Sequence, residues 1–137
     1  MKHQLMIDAI WIAGAIHLAI IAANAPLPGM LRVGERLASV PRFVRQIFYV
    51  HWIYIVVVLA MFAALCLGFA RELAGATAMG RFLSGFLCAF WLLRIALQIL
   101  YYDGQVRREH RMLGSLYLIA LIALVLVFGF AAVAPVR

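Results

Sequence analysis

Two histidines, an arginine and two side-chain amides stand inside stretches that are otherwise almost pure hydrocarbon. His17 and Asn24 lie seven residues apart, nearly in line on one helix face. His51 is followed one turn later by Tyr54. Arg94, Gln98, Tyr101 and Gln105 recur at intervals of four, three and four, which at about 100° per residue forms one polar stripe. Imidazoles on two helices are the ligand pair of an axially bound haem b. His17 and His51 would then be the iron ligands, Ala13 and Gly14 would leave room for the macrocycle, and Arg94 or Tyr101 would meet its propionates. The same His, Arg, Gln and Tyr set could instead hold the carbonyl groups of a quinone. Either cofactor would make the chain a small membrane subunit working beside a soluble redox partner.

Two other uses of these residues compete with the redox one. His17, Asn24, Arg94 and Gln98 could hydrogen-bond one another and fix helix register, each pair contributing about 0.5–2 kcal/mol, in a non-catalytic accessory or scaffold subunit with no cofactor. Alternatively, Arg94, Arg107, Arg108 and His110 could hold lipid-phosphate or isoprenoid headgroups, with Asp103 or a histidine as base. The sequence contains no HExxH, Gly-rich phosphate loop, Ser-His-Asp set or paired carboxylates, which disfavours classical hydrolase and nucleotide chemistry. Cys66 and Cys88 lack the CxxC spacing of a metal or redox motif and suit small apolar packing positions.

The elements that must position these side chains follow from composition. Of 137 residues, 68% are hydrophobic and 12% charged, far more apolar than a soluble domain. Four apolar segments, roughly 5–25, 47–70, 82–100 and 112–134, each approach the ~20 residues that cross a hydrocarbon core as a helix. The expectation is an all-α integral membrane four-helix bundle, antiparallel and up-down, forming one domain over 1–137. Ala23-Asn24-Ala25 resembles a signal-peptide cleavage site, but the preceding apolar run is too long, contains Asp8 and His17, and is followed at once by Pro26.

Between the first two spans, Met30, Val33, Leu37 and Val40 recur at helical spacing opposite Arg32, Glu35, Arg36 and Ser39, the pattern of a short amphipathic helix lying in the interface. The short connection from Arg71 to Arg81 predicts that spans two and three are tight antiparallel neighbours. Small residues repeat every fourth position at Ala60, Ala64 and Gly68 and at Gly80, Ser84 and Cys88, which permits close helix approach.

Seven basic residues, Arg32, Arg36, Arg42, Arg45, Arg107, Arg108 and Arg111, fall in the connections after spans one and three, against four (Lys2, Arg71, Arg81, Arg137) at the opposite end. Basic loops stay preferentially in the cytoplasm, so both termini are expected on the non-cytoplasmic side of a multi-pass protein. The net charge of +7 reads as this topology signal and as affinity for anionic lipid headgroups. Nucleic acid is not an expected partner, because the basic residues are split between short loops; a larger membrane complex or a homo-oligomer is compatible. The chain has no internal repeat or half-helix break of the kind transporters commonly carry. Counted from the cytoplasmic boundaries, His17, His51 and Arg94 each fall six to eight residues deep, about 9–12 Å along a helix axis. They are therefore expected to share one buried layer.

Overall fold

The computed structural model describes residues 1–30, 32–101 and 111–133. In chain order its elements are α1 (Lys2–Asn24), α2 (Leu27–Met30), α3 (Val33–Arg36), α4 (Arg42–Gly68), a π-helical turn (Glu72–Ala76), α5 (Ala78–Tyr101) and α6 (Arg111–Val133). No strand occurs among the described residues. The helices containing α1, α4, α5 and α6 are each long and apolar enough to cross a membrane, and the chain is an all-α membrane four-helix bundle. Helices suit such a sequence because lipid offers no hydrogen bonds, so each segment must satisfy its own backbone. Pro26 and Pro28 follow the end of α1, and Pro41, which lacks an N–H to leave unpaired, occupies the N-cap of α4.

In place of one interfacial helix the structure has two single turns, α2 and α3, separated at Arg32, whose φ of 48° is left-handed and cannot continue a helix. The amphipathic division survives in pieces. Val33 is buried and Leu37 and Val40 half-buried, while Arg36 is exposed and Arg32 approaches Glu35 at 3.8 Å in solvent. Met30, expected on the apolar side, is exposed.

The most extensive interfaces join α5 to α6 and α1 to α4, and α1 also packs on α6. The expectation that α4 and α5 are tight neighbours is corrected: their backbones scarcely approach each other, although only nine residues separate them. The connection itself is the reason. After Gly68 the chain turns into the bundle, and the π-helical turn occupies a corner against α1, α5 and α6, burying Leu73 and Ala74 completely.

Gly75 makes this possible with a φ of 90°. Gly80 is required for a different reason: a Cβ there would overlap the Glu72 carbonyl. Ser84 Oγ donates a 2.7 Å hydrogen bond to the Leu73 carbonyl, and Cys88 Sγ lies 3.5 Å from the Val125 carbonyl of α6. The small row on α5 therefore brings the turn and α6 close, whereas Ala60, Ala64 and Gly68 lie exposed on α4. Both cysteines are free thiols.

Candidate functional site

His17 lies at the centre of the bundle and is fully buried. Its neighbours are rings from the three other spans: Phe62 of α4 at 5.8 Å, Trp91 of α5 at 5.3 Å and Phe128 of α6 at 6.1 Å between centroids, all edge-on. Phe90 adds contacts to Phe62 at 5.0 Å and Trp91 at 5.2 Å. His17 Nδ1 is 2.6 Å from the Ala13 carbonyl. A carbonyl can only accept, so Nδ1 carries the hydrogen and Nε2 is left as a bare acceptor. That Nε2 is buried with no hydrogen-bond partner, as is the indole N–H of Trp91.

His51 does not join this centre. It is exposed, its Nδ1–H donates to the Ile47 carbonyl at 2.9 Å, and it precedes Phe62 by eleven residues, about 16 Å along α4. The expected common layer of His17, His51 and Arg94 is thus resolved into two levels. Rings enclose the His17 imidazole, the only buried one among the described residues, and His51 stands three turns along α4 from the Phe62 that touches His17. Among the described residues no cluster of three or more His, Cys, Asp or Glu could hold a metal ion.

Eleven residues are three turns plus about 20°, so His51 nonetheless lies on the same face of α4 as Phe62. The antiparallel helix α5 mirrors this. Its contact residue Phe90 is followed by Arg94, Leu97 and Tyr101 at intervals of four, seven and eleven, just as Phe62 is preceded by Val58, Ile55 and His51 at the same intervals. All six stay within about 40° of the line through the Phe62–Phe90 contact, at about 6, 10 and 16 Å above it. Exposure rises with height: Val58 and Arg94 are half-buried, Ile55 and Leu97 are 55% and 47% exposed, and Tyr101 is 86% exposed. α4 and α5, whose backbones scarcely approach each other, thus touch through the Phe62 and Phe90 rings, and both become more exposed from that contact towards the basic end of the bundle.

No family of known proteins, no curated protein and no solved structure matches this chain.

Asn24 and Gln98 are half-buried on α1 and α5. Each lies seven residues beyond a member of the His17–Trp91 ring contact on parallel helices, so both sit about 10 Å above it. Asn24 Nδ2 donates to the Ile20 carbonyl at 2.8 Å, while Gln98 Oε1 is buried without a partner. Arg94 lies one turn above Phe90 on α5, and its guanidinium lies over the Tyr117 ring of α6, 5.6 Å from the centroid. Tyr117 precedes Phe128 by eleven residues, which places the Arg94 cation near the height of His51 and Tyr101.

Of the residues singled out by sequence, His51 and Tyr101 are exposed above the Phe62–Phe90 contact, Arg94 lies on Tyr117, Asn24 and Gln98 are half-buried, and His17 is enclosed in the ring cluster. Gln105, Asp103, Arg107, Arg108 and His110 lie outside the described residues. Sequence reasoning missed Tyr117, Phe62, Phe90 and Phe128. The matched intervals from Phe62 and Phe90 were present in the chain, but only the contact between those two rings reveals them.

Proposed function

We propose that this protein is a membrane subunit that holds an amphiphile, receiving its polar head between α4 and α5 and leaving its tail in the hydrocarbon. What supports this is that the Phe62 and Phe90 rings touch while the backbones of α4 and α5 scarcely approach, and that exposure on both helices rises from that contact towards His51 and Tyr101, as the two walls of a wedge would give. Polar side chains are expensive inside a bilayer unless they face a cavity or a partner. Here they gather where the helices separate. The enclosed ring cluster around His17 serves as the rigid base from which the walls diverge.

A quinone belongs to the same ligand class, and the redox role expected from sequence would then rest on this cleft rather than on a His17–His51 pair. With both termini on the non-cytoplasmic side, the mouth opens at the cytoplasmic surface.

Native mass spectrometry of the detergent-purified protein tests the proposal. One retained amphiphile is expected, lost in Ile55→Trp, which fills the wedge, and kept in Ile122→Trp, which adds the same bulk to an exposed position on α6. Equal retention in both variants would refute a ligand site between α4 and α5.

A further inference from the structure

We propose that α3 and the first turns of α4 form a docking surface for the anionic headgroups of the surrounding bilayer. This surface is separate from the Phe62–Phe90 contact and does not rest on the amphiphile-holding role. Its height follows from length. α4 has 27 residues, about 40 Å of helix against a hydrocarbon core of about 30 Å. The excess leaves a turn or more among the headgroups, and Arg42 and Arg45 stand in the first turn of α4. Tyr49 continues their face at intervals of three and four. A Cβ at Gly34 would lie 3.6 Å from the Tyr49 hydroxyl oxygen. That approach sets α3, with Arg36 at its end, against the face of α4 that carries Arg45.

The side chains of Arg36, Arg42 and Arg45 make no hydrogen bond or ion pair with any described residue. Glu35, the one carboxylate between residues 32 and 45, approaches Arg32 instead, at 3.8 Å. Four arginines therefore stand against a single acid. At the opposite end the balance is nearly even: Lys2, Arg71 and Arg81 accompany Asp8 and Glu72, and Arg81 already donates to the Ala132 carbonyl. Asp103, Arg107, Arg108 and Glu109 lie outside the described residues. Exposed hydrocarbon is interleaved with the free charges, in Phe43, Val44 and Ile47 of α4 and in Met30 just before α3. A nucleic acid or an acidic protein would match the arginines and leave these side chains in water. A bilayer surface uses both, since apolar groups insert beneath the headgroups while guanidinium groups meet the phosphates.

Trp52, half-buried seven residues after Arg45 on α4, reports on the lipid beside this surface. Trp11→Phe removes the exposed tryptophan of α1, and Trp91 is buried. The Trp11→Phe protein is reconstituted in vesicles of equimolar phosphatidylglycerol and phosphatidylcholine, with each lipid in turn carrying brominated acyl chains that quench indole fluorescence. Phosphatidylglycerol should be favoured beside Trp52 about fivefold, the effect of roughly one basic side chain at an anionic surface. Adding Arg42→Gln and Arg45→Gln should bring the ratio close to parity with an unchanged thermal melt, whereas Arg42→Lys and Arg45→Lys should keep most of it. Lys2→Gln with Arg71→Gln removes two charges from the other end and should leave the ratio as it was. In 1 M NaCl, where the Debye length falls to about 3 Å, the preference should drop at least twofold. Parity before any arginine is changed, a preference undiminished by the two Arg→Gln changes, or equal losses from both pairs of substitutions overturns the proposal. A preference indifferent to salt also overturns it, because exposed charges on a surface must be screened.

Discussion

The two ends of this bundle solve opposite problems with similar material. At the end bearing the N-terminus, a turn is folded into the bundle and held by contacts that tolerate no extra atom: Gly80 against the Glu72 carbonyl, Ser84 on the Leu73 carbonyl, and Arg81 Nε donating to the Ala132 carbonyl at 3.0 Å. Towards the basic end the backbones of α4 and α5 scarcely approach, and His51, Ile55, Leu97 and Tyr101 are exposed. Close packing is the main source of helix association in lipid, where no water need be expelled. In this bundle it is concentrated below the His17 level, where Gly80 and Ser84 meet the turn. A protein whose stability sits in one half can leave the other half open.

The comparison makes graded predictions for thermal unfolding in detergent. Trp91→Ala should be the most damaging, because Trp91 is buried at the junction of the two halves and touches both His17 and Phe90. A loss of about 3–5 kcal/mol is expected for deleting a buried tryptophan. A loss under about 1 kcal/mol, outside the usual range for such deletions, would mean the ring cluster is not the keystone. Gly80→Ala should come next, at about 1–3 kcal/mol, since the new methyl meets backbone that cannot rotate away. Gly68→Ala, where nothing lies within 4 Å of the new atom, is its matched control and should cost nothing. Similar melts for the two would place the tight contact elsewhere.

Ser84→Ala tests the same end more gently. It leaves the buried Leu73 carbonyl without its side-chain donor, for about 1–2 kcal/mol. The conservative Ser84→Thr keeps a hydroxyl but adds a methyl in a fully buried position, so it should recover the hydrogen bond without the full stability. Full stability in Ser84→Ala would show that the turn is held by packing alone.

How these halves appear in the sequence differs for a physical reason. Membrane-spanning helices announce themselves through length and apolarity, which are local properties, so the four spans could be placed to within a few residues. Gly80, Ser84 and Cys88 were also legible as a close-contact row, although not what they contact. The depth argument failed for His51 because it measured each helix from its own basic boundary and assumed equal reach. α4 is 27 residues long, about 40 Å, and its contact with His17 comes through Phe62, well past the expected depth. Which residues of two helices lie level is set by where they touch, and that is a tertiary fact. Tyr117 was invisible for the same reason: nothing local distinguishes it from an interfacial tyrosine until Arg94 is seen to lie on it.

The smallest expected effect is the sharpest test of the division. His51→Ala removes a polar side chain from an exposed position whose only hydrogen bond among the described residues is to the Ile47 carbonyl one turn earlier in its own helix. Such a change should alter stability by no more than about 0.5 kcal/mol, against several for Trp91. If His51 instead faced a tightly packed interior, removing it would open a cavity, and the melt would fall by an amount comparable with other core deletions. Measuring His51→Ala beside His17→Ala makes the contrast internal to one chemistry. The two variants lose the same imidazole, each with a local Nδ1 bond four residues back, and differ only in what surrounds the ring. The buried histidine should then be worth several times the exposed one, even though its own Nε2 goes unsatisfied, because the three aromatic edges around it lose their common neighbour.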